Sequence, residues 1–127
     1  MFPTDYASSY VTVRSCRASG DHDLNHVRVL ADPLAAEAYM RRDRPFPTDA
    51  VVLKEEYEFS DDTCTGPVKQ WTAMVQLAAG TSPSTLDWHW QKVNGGNVVS
   101  DNEPRCYGCH ATCGVPPDGY RGTCAVP

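Results

Sequence analysis

Cys106, Cys109 and His110 stand in the order C-x-x-C-H, with Tyr107 and Gly108 between the two thiols. Thiols at this spacing can each add to one vinyl group of a haem, and the imidazole that follows then reaches the iron. On that reading Cys106 and Cys109 tether a haem c and His110 is its proximal ligand. The same short motif also fits half of a zinc site or a redox-active dithiol. Only 17 residues follow His110. The attachment point therefore belongs to the C-terminal segment, and the elements that shelter it must come earlier in the chain.

The remaining cysteines bear on the choice. Removing the attachment pair from the six leaves Cys16, Cys64, Cys113 and Cys124, a density that suits an oxidising compartment better than the cytosol. The favoured pairing joins Cys113 to Cys124 across the short Gly- and Pro-rich tail and Cys16 to Cys64 across the first half of the chain. Loop closure makes each such bridge worth roughly 3 to 4 kcal/mol. The competing arrangement collects Cys106, Cys109, Cys113 and Cys124 as a zinc tetrad.

At 127 residues the chain is expected to form a single domain, residues 1–127, able to bury roughly two-thirds of its unfolded surface. Its formal net charge is -5, and no lysine or arginine stripe runs along it, which argues against nucleic acid or an anionic membrane as partner. No stretch has the length of a membrane span, and the N-terminus lacks the pattern of a signal peptide. Covalent haem attachment requires export, so a periplasmic location is expected, with a leader removed ahead of Met1.

The elements that must position the motif follow from periodicity. Tyr6, Tyr10, Val11 and Val13 form an apolar segment that fits a short helix or an edge strand. His26 to Leu30 alternates as a strand. Asp32-Pro33 is a helix start, with Asp32 as cap and proline at the first position, and Leu34, Ala35, Ala38, Tyr39 and Met40 carry the helix to about Arg42. Strands are then predicted over Ala50 to Phe59, Lys69 to Ala79 and Leu86 to Val93, with Asn94-Gly95-Gly96-Asn97 as a tight turn. Alternation puts Val52, Lys54, Glu56 and Glu58 on one face, and Thr72, Met74, Gln76 and Ala78 on one face of the next strand. Trp88 and Trp90 share a face, with His89 opposite. The order predicts an α+β fold: a mainly antiparallel sheet with a few short helices, and the haem segment packed on it as a C-terminal helix.

From about Tyr6 to Ala111 these features resemble the cytochrome P-460 family. The carriers are Tyr10-Val11, the stretch Val29-Leu30-Ala31-Asp32-Pro33, the helix with Tyr39, Phe46 to Glu55, the Trp88-x-Trp90 strand and the late C-x-x-C-H. Val52-Leu53-Lys54-Glu55 upstream of a C-terminal haem motif is the most specific of them. The resemblance implies a haem c cytochrome with an antiparallel sheet, a homodimer, a redox partner protein, and hydroxylamine as small-molecule substrate. It also implies that a lysine, by position Lys54, is bonded to the porphyrin edge. An amine attacks only when unprotonated, which a desolvated pocket favours.

Two departures stand out. Members active on hydroxylamine are similar in a carboxylate over the open face of the iron, and aligning the third strand places Ala78 there, beside Gln76 and Met74. No acidic residue lies between Asp62 and Asp87, leaving Glu55, Glu56 and Asp87 as the nearby carboxylates. The tail from Gly114 to Pro127, with its extra cysteine, also differs from the family. Three functions then compete: a hydroxylamine-oxidising or peroxidase-like enzyme; a nitric oxide binder like the cytochrome c-prime-beta relatives, with an apolar pocket around Ala78 and Val52; and an electron carrier in which Met74 or His89 completes the iron. Met74 is otherwise core filler.

Overall fold

The computed structural model describes residues 2–113 and 122–124. Six antiparallel strands, β1 (Val11–Ala18), β2 (His26–Ala31), β3 (Val51–Tyr57), β4 (Gln70–Gln76), β5 (Trp88–Asn94) and β6 (Asn97–Asp101), lie side by side in chain order. Three α-helices accompany them: α1 (Tyr6–Ser9), α2 (Pro33–Arg41) and α3 (Pro104–His110). The expected α+β class and antiparallel sheet are both found.

The N-terminal segment, which fitted either a helix or a strand, is both in succession: one helical turn and then β1 at the sheet edge. β4 stops at Gln76 rather than continuing to 79. The cause is Asp87, whose carboxylate accepts from the backbone N–H groups of Gly80 and Ser82 and folds the chain into a tight return. Leu86 takes a left-handed conformation with φ 64°, which is incompatible with the predicted start of a strand there, so β5 begins at Trp88. β6 escaped prediction because its valines, Val98 and Val99, are exposed on an edge and give no alternation.

α2 starts as its sequence requires. Pro33 fills the first turn, and the Asp32 side chain accepts from Ala35 N at 2.7 Å. Ala35, Ala38 and Tyr39 bury one stripe of the helix against Val29, Ala31, Val52, Met74, Trp88 and Trp90. Register sets which residues form that face. Val29, Lys54, Thr72 and Lys92 lie abreast across four strands, and Ala31, Val52, Met74 and Trp90 form the next row.

The opposite face carries the intervening residues. There Glu55 accepts from Arg28 Nε at 2.7 Å, from Tyr57 at 2.8 Å and from Tyr6 at 2.9 Å, while Trp71 Nε1 donates to the Tyr6 hydroxyl. Both favoured disulfides are present, Cys16–Cys64 and Cys113–Cys124. Most of the divergent tail, residues 114–121 and 125–127, lies outside the described residues.

Replacing Asp32 with alanine removes a buried cap, and the expected loss is about 1 to 2 kcal/mol of stability. A urea unfolding midpoint that does not move in Asp32→Ala would contradict this account of the helix start.

Candidate functional site

α3 sets the motif. Spacings of three and four residues bring Cys106, Cys109 and His110 to one side of the helix, and that side meets the apolar face of the sheet. Cys106 and Tyr107 pack against the buried cluster, and the rings of Trp90 and His110 meet edge to face with centroids 4.7 Å apart. A cavity of about 780 Å³ lies against these elements, and Cys106, Cys109, His110, Lys54, Met74 and Arg14 all line it.

His110 is held in one tautomer. Its Nδ1 stands 2.6 Å from the carbonyl oxygen of Gly122, which can only accept, so Nδ1 carries the proton and Nε2 keeps its lone pair. Burial, then the charge of Lys54, lowers the imidazole pKa to about 4 against the pull of that hydrogen bond. The ring is therefore neutral and ready to bind a metal. Gly122 has φ +83°, a left-handed conformation that favours glycine, and a Cβ there would press on the Leu86 side chain at 3.1 Å. Its N–H donates to the Cys113 carbonyl, and the Cys113–Cys124 bridge ties the returning chain beside α3.

That bridge also corrects the zinc alternative. Cys113 and Cys124 are bonded to each other, so only Cys106 and Cys109 remain as thiols. Burial and then the neighbouring Glu103 raise the Cys106 pKa.

Lys54 projects from β3 on the core face of the sheet. It keeps contact with solvent through the cavity it lines, yet enough protein surrounds the amine that burial lowers its pKa to about 8, against the pull of Glu56. Its Nζ lies 2.7 Å from His22 Nε2, and His22 Nδ1 lies 3.3 Å from Glu56 Oε1. Glu56 also accepts from Asn25 at 3.1 Å, Gln70 at 2.6 Å and Thr72 at 3.2 Å. Burial works to raise the Glu56 carboxyl, but the bonds from His22 and Gln70 win and leave it at about 2. This carboxylate stays charged.

Of the other sequence-predicted residues, Met74 is buried in the core and lines the cavity. Ala78 does not join them. It is exposed in the turn after β4, because that strand ends two residues earlier. His89 faces away and bonds Asp101 at 2.7 Å, which corrects its candidacy as an iron ligand. Glu55 is committed to the far face, and Asp87 to its turn. Glu56 is the one of the three carboxylates considered that lines the cavity.

Sequence reasoning missed His22 and Arg14. His22 sits in the loop 19–25, whose backbone bonds, including Asn25 N to the His22 carbonyl at 2.9 Å, turn it back over the sheet. No periodicity marks such a residue. Arg14 reaches the cavity beside a register shift in β1 that lets Val13, also part of the buried cluster, and Arg14 both serve the core side, as a bulge does.

The fit to a haem rests on these groups. Arg14 Nε is buried with no hydrogen-bond partner among the described residues, a cost that a carboxylate such as a haem propionate would relieve. Two free thiols, an imidazole with its lone pair free and a cavity of this size complete the match.

Residues 3–114 match the family model described as Cytochrome P460. No curated protein matches the chain.

The low pKa of Glu56 has a testable consequence. Its folded value lies below the ordinary 4.5, so its stabilisation is complete above about pH 4.5 and lost as pH falls toward 2. The loss is on the order of 3 kcal/mol. Between these limits the urea midpoint of the wild type should fall more steeply than that of Glu56→Gln, and equal slopes would contradict the assignment.

Proposed function

The chain belongs to the cytochrome P460 family, and we propose that it is a mono-haem c-type cytochrome with an open site, carrying out redox chemistry on small nitrogen compounds, hydroxylamine first among them. The observation that carries this reading is the convergence of Cys106, Cys109, His110 and Lys54 on one cavity. Cys106 and Cys109 would hold the group by thioethers, His110 Nε2 would ligate the iron, Arg14 would bind a propionate, and Lys54 would be joined to the porphyrin edge. The bound haem supplies an iron that accepts electrons from a small ligand and passes them to a redox partner protein.

The chain's own groups handle position and protons. Oxidising hydroxylamine releases protons, and a basic group within reach must take them. His22 lines the same cavity and can accept a proton at Nε2, while Glu56 holds its other ring nitrogen. Val29, Val52 and Met74 supply an apolar wall that limits water.

Those apolar residues also favour a second reading, nitric oxide binding without turnover, because Glu56 is already occupied by four side chains. Two disulfides suit an exported, periplasmic protein. No helix among the described residues is long and apolar enough to cross a membrane.

Haem-loaded wild type should consume hydroxylamine with an artificial electron acceptor and show a ferrous Soret band well to the red of ordinary haem c. Lys54→Leu should return that band to its ordinary position, and His110→Ala should abolish normal proximal ligation. An identical spectrum in Lys54→Leu would remove the cross-link from this reading. Nitric oxide binding with no hydroxylamine consumption would favour the second.

A further inference from the structure

The contact between Lys54, His22 and Glu56 has the form of a proton relay rather than of a simple ion pair. Glu56 is 1% exposed and His22 22%, so the carboxylate is the more deeply set of the two cavity-lining groups and the imidazole the one more open to solvent. With Glu56 accepting at Nδ1, the other ring nitrogen, Nε2, is left facing the lysine amine at 2.7 Å. One proton serves both ends of that contact. On Lys54 it gives an ammonium beside a neutral ring; on His22 it gives a free amine beside an imidazolium that the Glu56 carboxylate stabilises.

A lysine that only needed charge compensation would meet Glu56 directly. They stand two residues apart on the same face of β3, yet the loop 19–25 inserts a histidine between them. Ion pairs anchor that loop over the sheet, since Asp23 lies 3.6 Å from Arg105, at the start of α3, and 3.9 Å from Lys92 of β5. Asn25 within the loop bonds Glu56 from a second side.

We infer that His22 is the base that takes the Lys54 proton and that Glu56 is the positioning residue that orients His22 and compensates its charge, so that this chain promotes its own Lys54–porphyrin bond. The inference rests on the reading of Lys54 as the cross-linking residue. The chemistry balances with an oxidant of the peroxide class. The Lys54 ammonium gives one proton to His22 Nε2, which passes it to solvent. The neutral amine then forms an N–C bond at a porphyrin edge carbon, losing one N–H bond and the C–H bond at that carbon. The two electrons and two protons released convert one hydrogen peroxide to two waters.

The Lys54 surroundings agree with this assignment. Arg14 opposes a positive charge on the amine, Glu56, Cys106 and Asp21 favour one, and His110, Cys109, Asp23, Glu103, Lys92 and Arg105 are further titratable groups lining the cavity. His22 is the group among them whose lone pair touches Nζ.

The test is the rate of bond formation, not turnover. Haem-loaded protein prepared without oxygen is treated with hydrogen peroxide, and protease digests are followed by mass spectrometry for the Lys54 peptide joined to the haem peptide of Cys106–Cys109. His22→Ala should slow the joining by roughly 100-fold, the scale of general-base catalysis, and added imidazole should restore much of the rate. His22→Gln, which preserves hydrogen bonding but offers no base, should be as slow as His22→Ala. In the double variant His22→Ala, Glu56→Gln, imidazole should rescue poorly, because nothing orients the added ring. Joining at the wild-type rate in either His22 variant, or slow joining in His22→Ala that imidazole leaves unchanged, overturns the relay. If wild-type protein forms no Lys54 link, the cross-link reading itself fails, and the relay with it.

Discussion

A cation held on the apolar face of a sheet is the constraint on which the rest of the structure depends. Lys54 shares its face with Val29, Val52, Met74 and Trp90, where an ammonium would ordinarily be costly to place. The protein keeps it there by bringing His22 to its amine and Glu56 to His22, and by surrounding Glu56 with Asn25, Gln70 and Thr72. Removing one partner of such a buried set leaves the others uncompensated. The set is thus a commitment made by β3, β4 and the loop 19–25 together, and the cavity that Lys54 lines is where that commitment has a use.

Strand alternation divides the work between two neighbours of the same type. Glu55 points away from the cavity and binds Arg28, Tyr57 and Tyr6, which anchors the N-terminal turn to the sheet. Glu56 points toward the cavity and sets the charge around Lys54. A one-residue slip in β3 would exchange these roles and put an arginine-binding carboxylate in the core. α3 depends on the same register, because Trp90, against which His110 packs, lies directly across from Met74. The imidazole is then fixed by the carbonyl of Gly122, which the Cys113–Cys124 bridge and the Gly122 N–H bond to the Cys113 carbonyl hold beside α3.

Much of this was legible in the sequence, for reasons that differ by residue. Asp32-Pro33 announces the start of α2 through local capping chemistry, and the alternation of Val52, Lys54 and Glu56 gives the face that looks into the cavity. The C-x-x-C-H spacing narrows the chemistry of α3 to haem attachment, half of a zinc site or a redox-active dithiol, and the Cys113–Cys124 bridge then removes the four-cysteine zinc set. The two disulfides could be favoured because loop length and composition limit the choices. Ala78 was misplaced because a turn held by Asp87 ends β4 early, and that turn is closed by side-chain to backbone bonds with no periodic signature. His22 was invisible for a related reason: a histidine in a polar loop gains its meaning from the strand it folds over, which no local pattern records. Arg14 required a register shift, and β6 an edge whose valines stay exposed.

Denatured intact mass of the protein, produced in a host with a c-type haem maturation system, tests the haem assignment most directly. The expected result is a mass increased by one haem that survives denaturation and is lost when Cys106 and Cys109 are both replaced together with Lys54. A mass equal to the bare chain with its two disulfides, from a host that matures other c-type cytochromes normally, would contradict the assignment.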